Sequence, residues 1–197
     1  MHEDELLDLE EESPSASKIF RDWIFVIVIA LGAAMLVRVF VLQQFYISGP
    51  SMETSLFQDD RVLVNKLSYR LHDINHGDVI VFDRVTTSGG VVEHDDLIKR
   101  VIAVGGDSIQ IKKCEVWVNG VVVEEPYLGA TVEGEDLNSR CRVVDMPSLT
   151  VPDDQLFVMG DNRAESFDSR SFGPIPKKLV IGRAFAVVWP LGSLRWL

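Results

Sequence analysis

The groups in this chain that could carry nucleophilic chemistry are a serine, a lysine and a scatter of four histidines. Ser51 follows Gly49-Pro50, and on its own it reads as a polar turn residue that needs a neighbouring base to become a nucleophile. Histidine is the first base to consider. His72, His76 and His94 all fall in polar, loop-like sequence, and no G-x-S-x-G elbow surrounds Ser51, so surface positions are expected for them. His72 and His76 have a spacing that could clasp a metal on a helix, but Asp73, Asn75 and Gly77 suit a turn better, and no metal is expected. Lys99 is the second candidate. It is flanked by Leu97, Ile98, Val101 and Ile102, more apolar surroundings than any other lysine after residue 42 has. Pointed inward, it would lose hydration, and its neutral form could act as a base near neutral pH. Pointed along a half-exposed strand, it would simply snorkel. These residues alone leave both readings open.

The elements that must position them follow from composition. Residues 1–22 carry a run of carboxylates and then a Ser/Pro/Ala stretch, which predicts a disordered acidic tail. Residues 23–42 are apolar but for Arg38, and about twenty such residues is the length a helix needs to cross a bilayer. Lys18 and Arg21 precede this span, and after Arg38 the next basic residue is Arg61, so the charge bias places the N-terminus in the cytoplasm and residues 43–197 outside. That last segment reads as one mainly β body. Short Val/Ile-rich runs at 61–66, 78–82 and 97–104 alternate with Gly, Asp and Asn, and Asn119-Gly120 between two apolar runs signals a tight hairpin. The net charge of -11, without a basic stripe, argues against a nucleic-acid partner. Cys114 and Cys141 lack the paired spacing of a zinc site, and are expected to form a disulfide in an oxidising compartment.

Five segments decide between the readings of Lys99: S-G-P-S-M-E (48–53), R-V-L-V-N-K-L-S-Y (61–69), G-D-V-I-V-F (77–82), I-K-R-V-I-A-V-G-G-D (98–107) and G-D-N-R-A-E-S-F-D-S-R-S-F-G (160–173). In this order they resemble the boxes of the bacterial type I signal peptidases. The resemblance implies a membrane-anchored serine endopeptidase that cleaves signal peptides from exported preproteins, with no cofactor and with the lipid bilayer as a partner. It implies an extended β fold in which the substrate is added as a strand, with small residues one and three positions before the cut. It makes Ser51 the nucleophile, Lys99 the general base and Ser166 the hydroxyl that orients the lysine amine. Arg100, Asp161, Asp168 and Arg170 correspond to charged residues that brace the site. Met52 and Leu56, beside the nucleophile, are expected to contact substrate or membrane.

Three positions depart from the family pattern. Glu53-Thr54-Ser55-Leu56 stands where a Pro-Thr-Leu turn is common, Gly49 where some members place an oxyanion serine, and Val104-Gly105-Gly106-Asp107 where Leu-Pro-Gly-Asp is usual. A non-catalytic, membrane-tethered β module that binds extended peptides is the alternative, and it requires Ser51 and Lys99 to lie apart. A self-cleaving repressor would need a DNA-binding segment in place of residues 23–42. An S-x-x-K enzyme would need lysine where Thr54 stands.

Overall fold

The computed structural model describes residues 16–129 and 137–197, so most of the expected acidic tail lies outside the described residues. The chain divides into two compact units, one ending at Val39 and one running Phe40–Leu197.

The described part of the first unit is the helix α1, Ala16–Phe40, whose last residue falls to the second unit. It begins inside the segment read as a tail and stops before Leu42, where a strand opens, so the helix is displaced toward the N-terminus relative to the expected 23–42 span. Its Ile, Val, Leu and Ala residues form a helix with no strong apolar stripe, and Trp23, Phe25, Val28 and Leu31 are all exposed. Among the described residues no helix is long and apolar enough to cross a membrane; the side chains at 36, 37, 39 and 40 lie outside those described. The expected transmembrane helix therefore has no support from the described residues.

The second unit is mainly antiparallel β, as the alternating Val/Ile runs predict. Its strands are β1 (Leu42–Tyr46), β2 (Arg61–Asn65), β3 (Val79–Ser88), β4 (Val91–Val104), β5 (Ser108–Lys112), β6 (Glu115–Val118), β7 (Val121–Val122), β8 (Met146–Thr150), β9 (Gln155–Met159), β10 (Ile175–Pro176), β11 (Val180–Trp189) and β12 (Arg195–Trp196). Short helices α2 (Ser68–Leu71), α3 (Leu137–Arg140) and α4 (Ser169–Phe172) connect some of them. One sheet runs β1-β2-β11-β3-β4-β9-β10 with β12 against β11, and a smaller one runs β7-β6-β5-β8.

Local chemistry explains the turns. Asn119 and Gly120 take φ of 52° and 79°, the left-handed pair a tight two-residue hairpin demands, and they join β6 to β7 with Val118 opposite Val121. Gly89-Gly90 does the same between β3 and β4, whose register pairs Val79 with Arg100 and Ile80 with Lys99. Alternation then sorts the faces: Val62 and Val64 of β2 and Ile109 and Ile111 of β5 are buried, while the residues between them are not.

Cys114 and Cys141 are disulfide-bonded, tying the β5–β6 turn to the end of α3. The bridge closes a loop with a sequence separation of 27 residues. On the chain-entropy model a loop of that size is worth about 3.5 kcal/mol. The double variant Cys114→Ser/Cys141→Ser should melt several degrees below the parent, and the parent's thiols should label with maleimide only after reduction. Ready labelling of both thiols in unreduced, denatured protein would show the bridge absent.

Candidate active site

Ser51 sits in a turn within the connection 47–60 between β1 and β2. Gly49, at φ 95°, starts the turn in a conformation that favours glycine, and its N–H is donated to Gln58 Oε1 at 2.9 Å. The N–H groups of Ser55 and Leu56 are both donated to the Met52 carbonyl, at 3.0 and 2.8 Å. Met52 and Leu56 then anchor the turn from beneath. Both are fully buried, packed with Ile47, Val62, Val64 and Val187, so in this arrangement neither is open to lipid. Their burial removes apolar surface from water and fixes the turn that carries Ser51.

Lys99 comes to Ser51 from β4. Its Nζ lies 2.7 Å from Ser51 Oγ and 2.9 Å from the Ile98 carbonyl, and the residue is only 3% exposed. The inward orientation is thus the one adopted, not the snorkelling one. Burial lowers the amine's pKa to about 8, against the opposing pull of the Asp168 and Asp161 carboxylates.

The loop after β9 closes the other side. Asn162 donates its N–H to the Ser51 carbonyl at 3.2 Å. Gly160 lies in such close approach that a Cβ there would stand 2.2 Å from the Ser51 carbonyl oxygen and 2.3 Å from Ser166 Oγ. The Ser166 hydroxyl is fully buried, faces Asp168 closely enough to influence it, and yet has no hydrogen bond of ordinary geometry among the described residues. Among the described residues the Lys99 amine donates to the Ile98 carbonyl and makes no hydrogen bond to Ser166, the residue expected to orient it.

Four expected bracing residues form two buried pairs. Arg100 makes a two-pronged contact with Asp161, Nε to Oδ1 at 2.9 Å and NH2 to Oδ2 at 2.6 Å, and also donates to the Gly77 carbonyl and Ser55 Oγ. Arg170 grips Asp168 at 2.8 Å through both Nε and NH2. Burial pushes the Asp168 carboxyl up, but Arg170 and the Gly160 N–H outweigh it and hold the group below the usual carboxylate range. A third buried pair, Arg163 with Glu125, and the nearby Tyr127 are not among the residues expected from sequence. Arg163 stood in a motif that signals it; Tyr127 lies in an unremarkable loop after the hairpin, and nothing local marks it. Two of the histidines are engaged elsewhere, His76 with Asp107 and His94 with Asp83.

A narrow groove of about 100 Å³ holds the pair, walled by Tyr46, Ile47 and Ser48 on one side and by Asp96, Ile98 and Lys99 on the other. Along it β1 is paired only to β2, and β4 is paired to β9 only from Arg100 onward, so both walls present open strand edges. A larger cavity of about 560 Å³, lined by Thr54, Asp161 and Arg163, includes neither Ser51 nor Lys99, both of which line the smaller groove.

A serine hydroxyl within hydrogen-bond reach of a buried lysine amine, on an antiparallel β frame, is a layout that suits a serine hydrolase with a lysine base. Residues 20–189 match the family described as signal peptidase, peptidase S26. The chain is 34% identical to a probable signal peptidase I-2 of Synechocystis sp. over 92% of this chain and 78% of that protein. It is 33% identical to a signal peptidase I of Bacillus amyloliquefaciens over 94% of this chain and 97% of that one. A crystal structure of a signal peptidase I from Enterococcus faecalis V583 superposes with a TM-score of 0.45 at 27% identity, covering 57% of this chain and 97% of that chain. The chain belongs to the peptidase S26 signal peptidase family.

Proposed function

We propose that this chain cleaves signal peptides from exported preproteins with Ser51 as nucleophile and Lys99 as general base. The observation that carries the reading is the 2.7 Å approach of the buried Lys99 amine to Ser51 Oγ. A signal peptide enters as an added strand between the open edges of β1 and β4, and the small groove favours small side chains before the cut. Neutral Lys99 takes the Ser51 proton as Oγ attacks the scissile carbonyl, with the Ser51 N–H available to the oxyanion. The tetrahedral species collapses, the leaving amine takes the proton from Lys99, and an acyl-enzyme remains. Water, deprotonated by the same amine, attacks the ester and restores Ser51. The non-catalytic β module requires the pair to be out of hydrogen-bond reach and is disfavoured by this distance.

The reading includes a membrane anchor, single-pass with the N-terminus in the cytoplasm and the second unit outside. It is supported by the apolar composition of residues 23–42 and by the disulfide, which suits an oxidising compartment. With Met52 and Leu56 buried, a lipid-facing role passes to exposed Trp189, Leu191, Leu194 and Trp196. The test is incubation of the full chain in detergent with a preprotein. Wild type should release the mature product and Ser51→Ala none; cleavage by Ser51→Ala would remove the reading. On liposome-embedded preprotein the full chain should outpace a chain starting at Gln43, and equal rates would remove the anchor from it.

A further inference from the structure

We propose that Tyr127 is a positioning residue for the cleavage: its ring, beneath the Arg100 guanidinium, locks Arg100 onto Asp161 and so holds Lys99, the preceding residue on β4, in place against the nucleophile turn. The proposal rests on the Ser51/Lys99 reading above.

The contacts converge on Tyr127 from each catalytic segment. The Arg100 guanidinium carbon lies 3.9 Å from the ring centroid, inside the range where the ring's negative face attracts a cation. Arg100's N–H groups are spent in its own plane on Asp161, Gly77 and Ser55, so one face of the guanidinium is left to the aromatic ring. The Tyr127 carbonyl accepts from Thr54 Oγ1 at 2.6 Å. Thr54 is part of the nucleophile turn and holds φ of 87°, a left-handed conformation that a β-branched residue adopts only under constraint. On its far edge the Tyr127 hydroxyl donates to Glu125 at 2.8 Å. Glu125 pairs with Arg163, whose Nε reaches the Gly160 carbonyl at 3.1 Å. One side chain and its carbonyl thus bear on the turn of Ser51, the strand of Lys99 and the loop of Gly160.

The electrostatic consequence has a sign. Asp161 and Asp168, both from the loop after β9, are the charged groups that act on the Lys99 amine, and both favour its protonated form. Each is neutralised by its own guanidinium, Asp161 by Arg100 and Asp168 by Arg170. If Arg100 slips from Asp161, that carboxylate keeps only the more distant influence of Arg163, which is itself paired with Glu125, and acts on Lys99 more strongly, while Asp168 stays paired. The amine then holds its proton to higher pH, and less base is available near neutrality.

The experiment places phenylalanine and then mono-, di- and trifluorophenylalanine at position 127 of the full chain, which keeps the ring's shape while draining its negative face. Cleavage of a preprotein is followed from pH 6 to 10. Phenylalanine should restore the rate that Tyr127→Leu loses. Successive fluorines should move the acid limb of kcat/KM stepwise to higher pH, until the trifluoro protein sits about tenfold below the parent at neutral pH, the effect of roughly one unit in the amine's pKa. KM should stay constant. The fluorinated series decides the matter even if Tyr127→Leu does not fold. A profile unmoved by fluorination, a phenylalanine protein as impaired as leucine, or a loss confined to KM would each overturn the proposal. Cleavage surviving in Lys99→Ala would instead remove the Ser51/Lys99 reading beneath it, so the two failures are distinct.

Discussion

Lys99→Arg is expected to be as inactive as Lys99→Ala, each at least about a thousandfold below wild type, the upper part of the range for losing a general base. The amine must be neutral when Ser51 gives up its proton. Burial brings Lys99 from 10.5 to about 8, which makes that form accessible near physiological pH. A guanidinium, with a pKa above about 12, keeps its proton throughout this range and supplies charge without basicity. The buried site offers it no compensating carboxylate either, since Asp161 and Asp168 are already held by Arg100 and Arg170. The same titration sets the pH profile. Below about 8 the neutral fraction falls tenfold per pH unit, so log kcat/KM should climb with unit slope and level off near that value. Wild-type rates in Lys99→Arg, or an acid limb near 10, would show that Lys99 is not the base.

Gly160→Ala should be the second severe lesion, although it adds only a methyl group. The new Cβ would stand 2.2 Å from the Ser51 carbonyl oxygen, 2.3 Å from Ser166 Oγ and 2.6 Å from Ser166 Cβ. The first of these atoms is backbone and cannot rotate away, so either the nucleophile turn or the loop after β9 must move. A displacement of about 1 Å at the reacting atoms costs on the order of a hundredfold in rate, and overpacking of this kind costs about 1–3 kcal/mol of stability. Cleavage assays beside thermal melts should therefore show a folded protein with a lowered Tm and a far larger loss in kcat. Wild-type kcat in Gly160→Ala would mean that the close approach is not maintained in the working enzyme.

Much of the site was legible before any coordinates. Ser51 and Lys99 lie in ordered segments shared with a known family, and a lysine flanked by Ile98 and Val101 already suggests desolvation. The hairpin at Asn119-Gly120 was legible because its turn type demands two left-handed residues, a local requirement. Met52 and Leu56 were misjudged for the converse reason: an apolar side chain that will face lipid and one that will face the core look alike in a sequence. Only the closing of β1, β2 and β11 around them shows that they serve the core. Which neighbour the Ser166 hydroxyl faces was not legible either, since that depends on angles that residue types do not carry.

The chain's order of residues thus sufficed for the strand pattern, the turns and the choice of Ser51 and Lys99 as candidate reacting groups, because these follow from short-range preferences and from side-chain chemistry. Tertiary structure decided whether those groups meet. Ser51 and Lys99 are 48 residues apart, and their 2.7 Å contact exists because β4 is held in register with β3 and the turn is pinned through Met52 and Leu56. Tyr127 joins the site in the same way, across a fold that brings Arg100 over its ring. Long-range register, burial and the lowered pKa that burial brings are properties of the assembled core, where Lys99 is withdrawn from water while Ser51 still faces the groove.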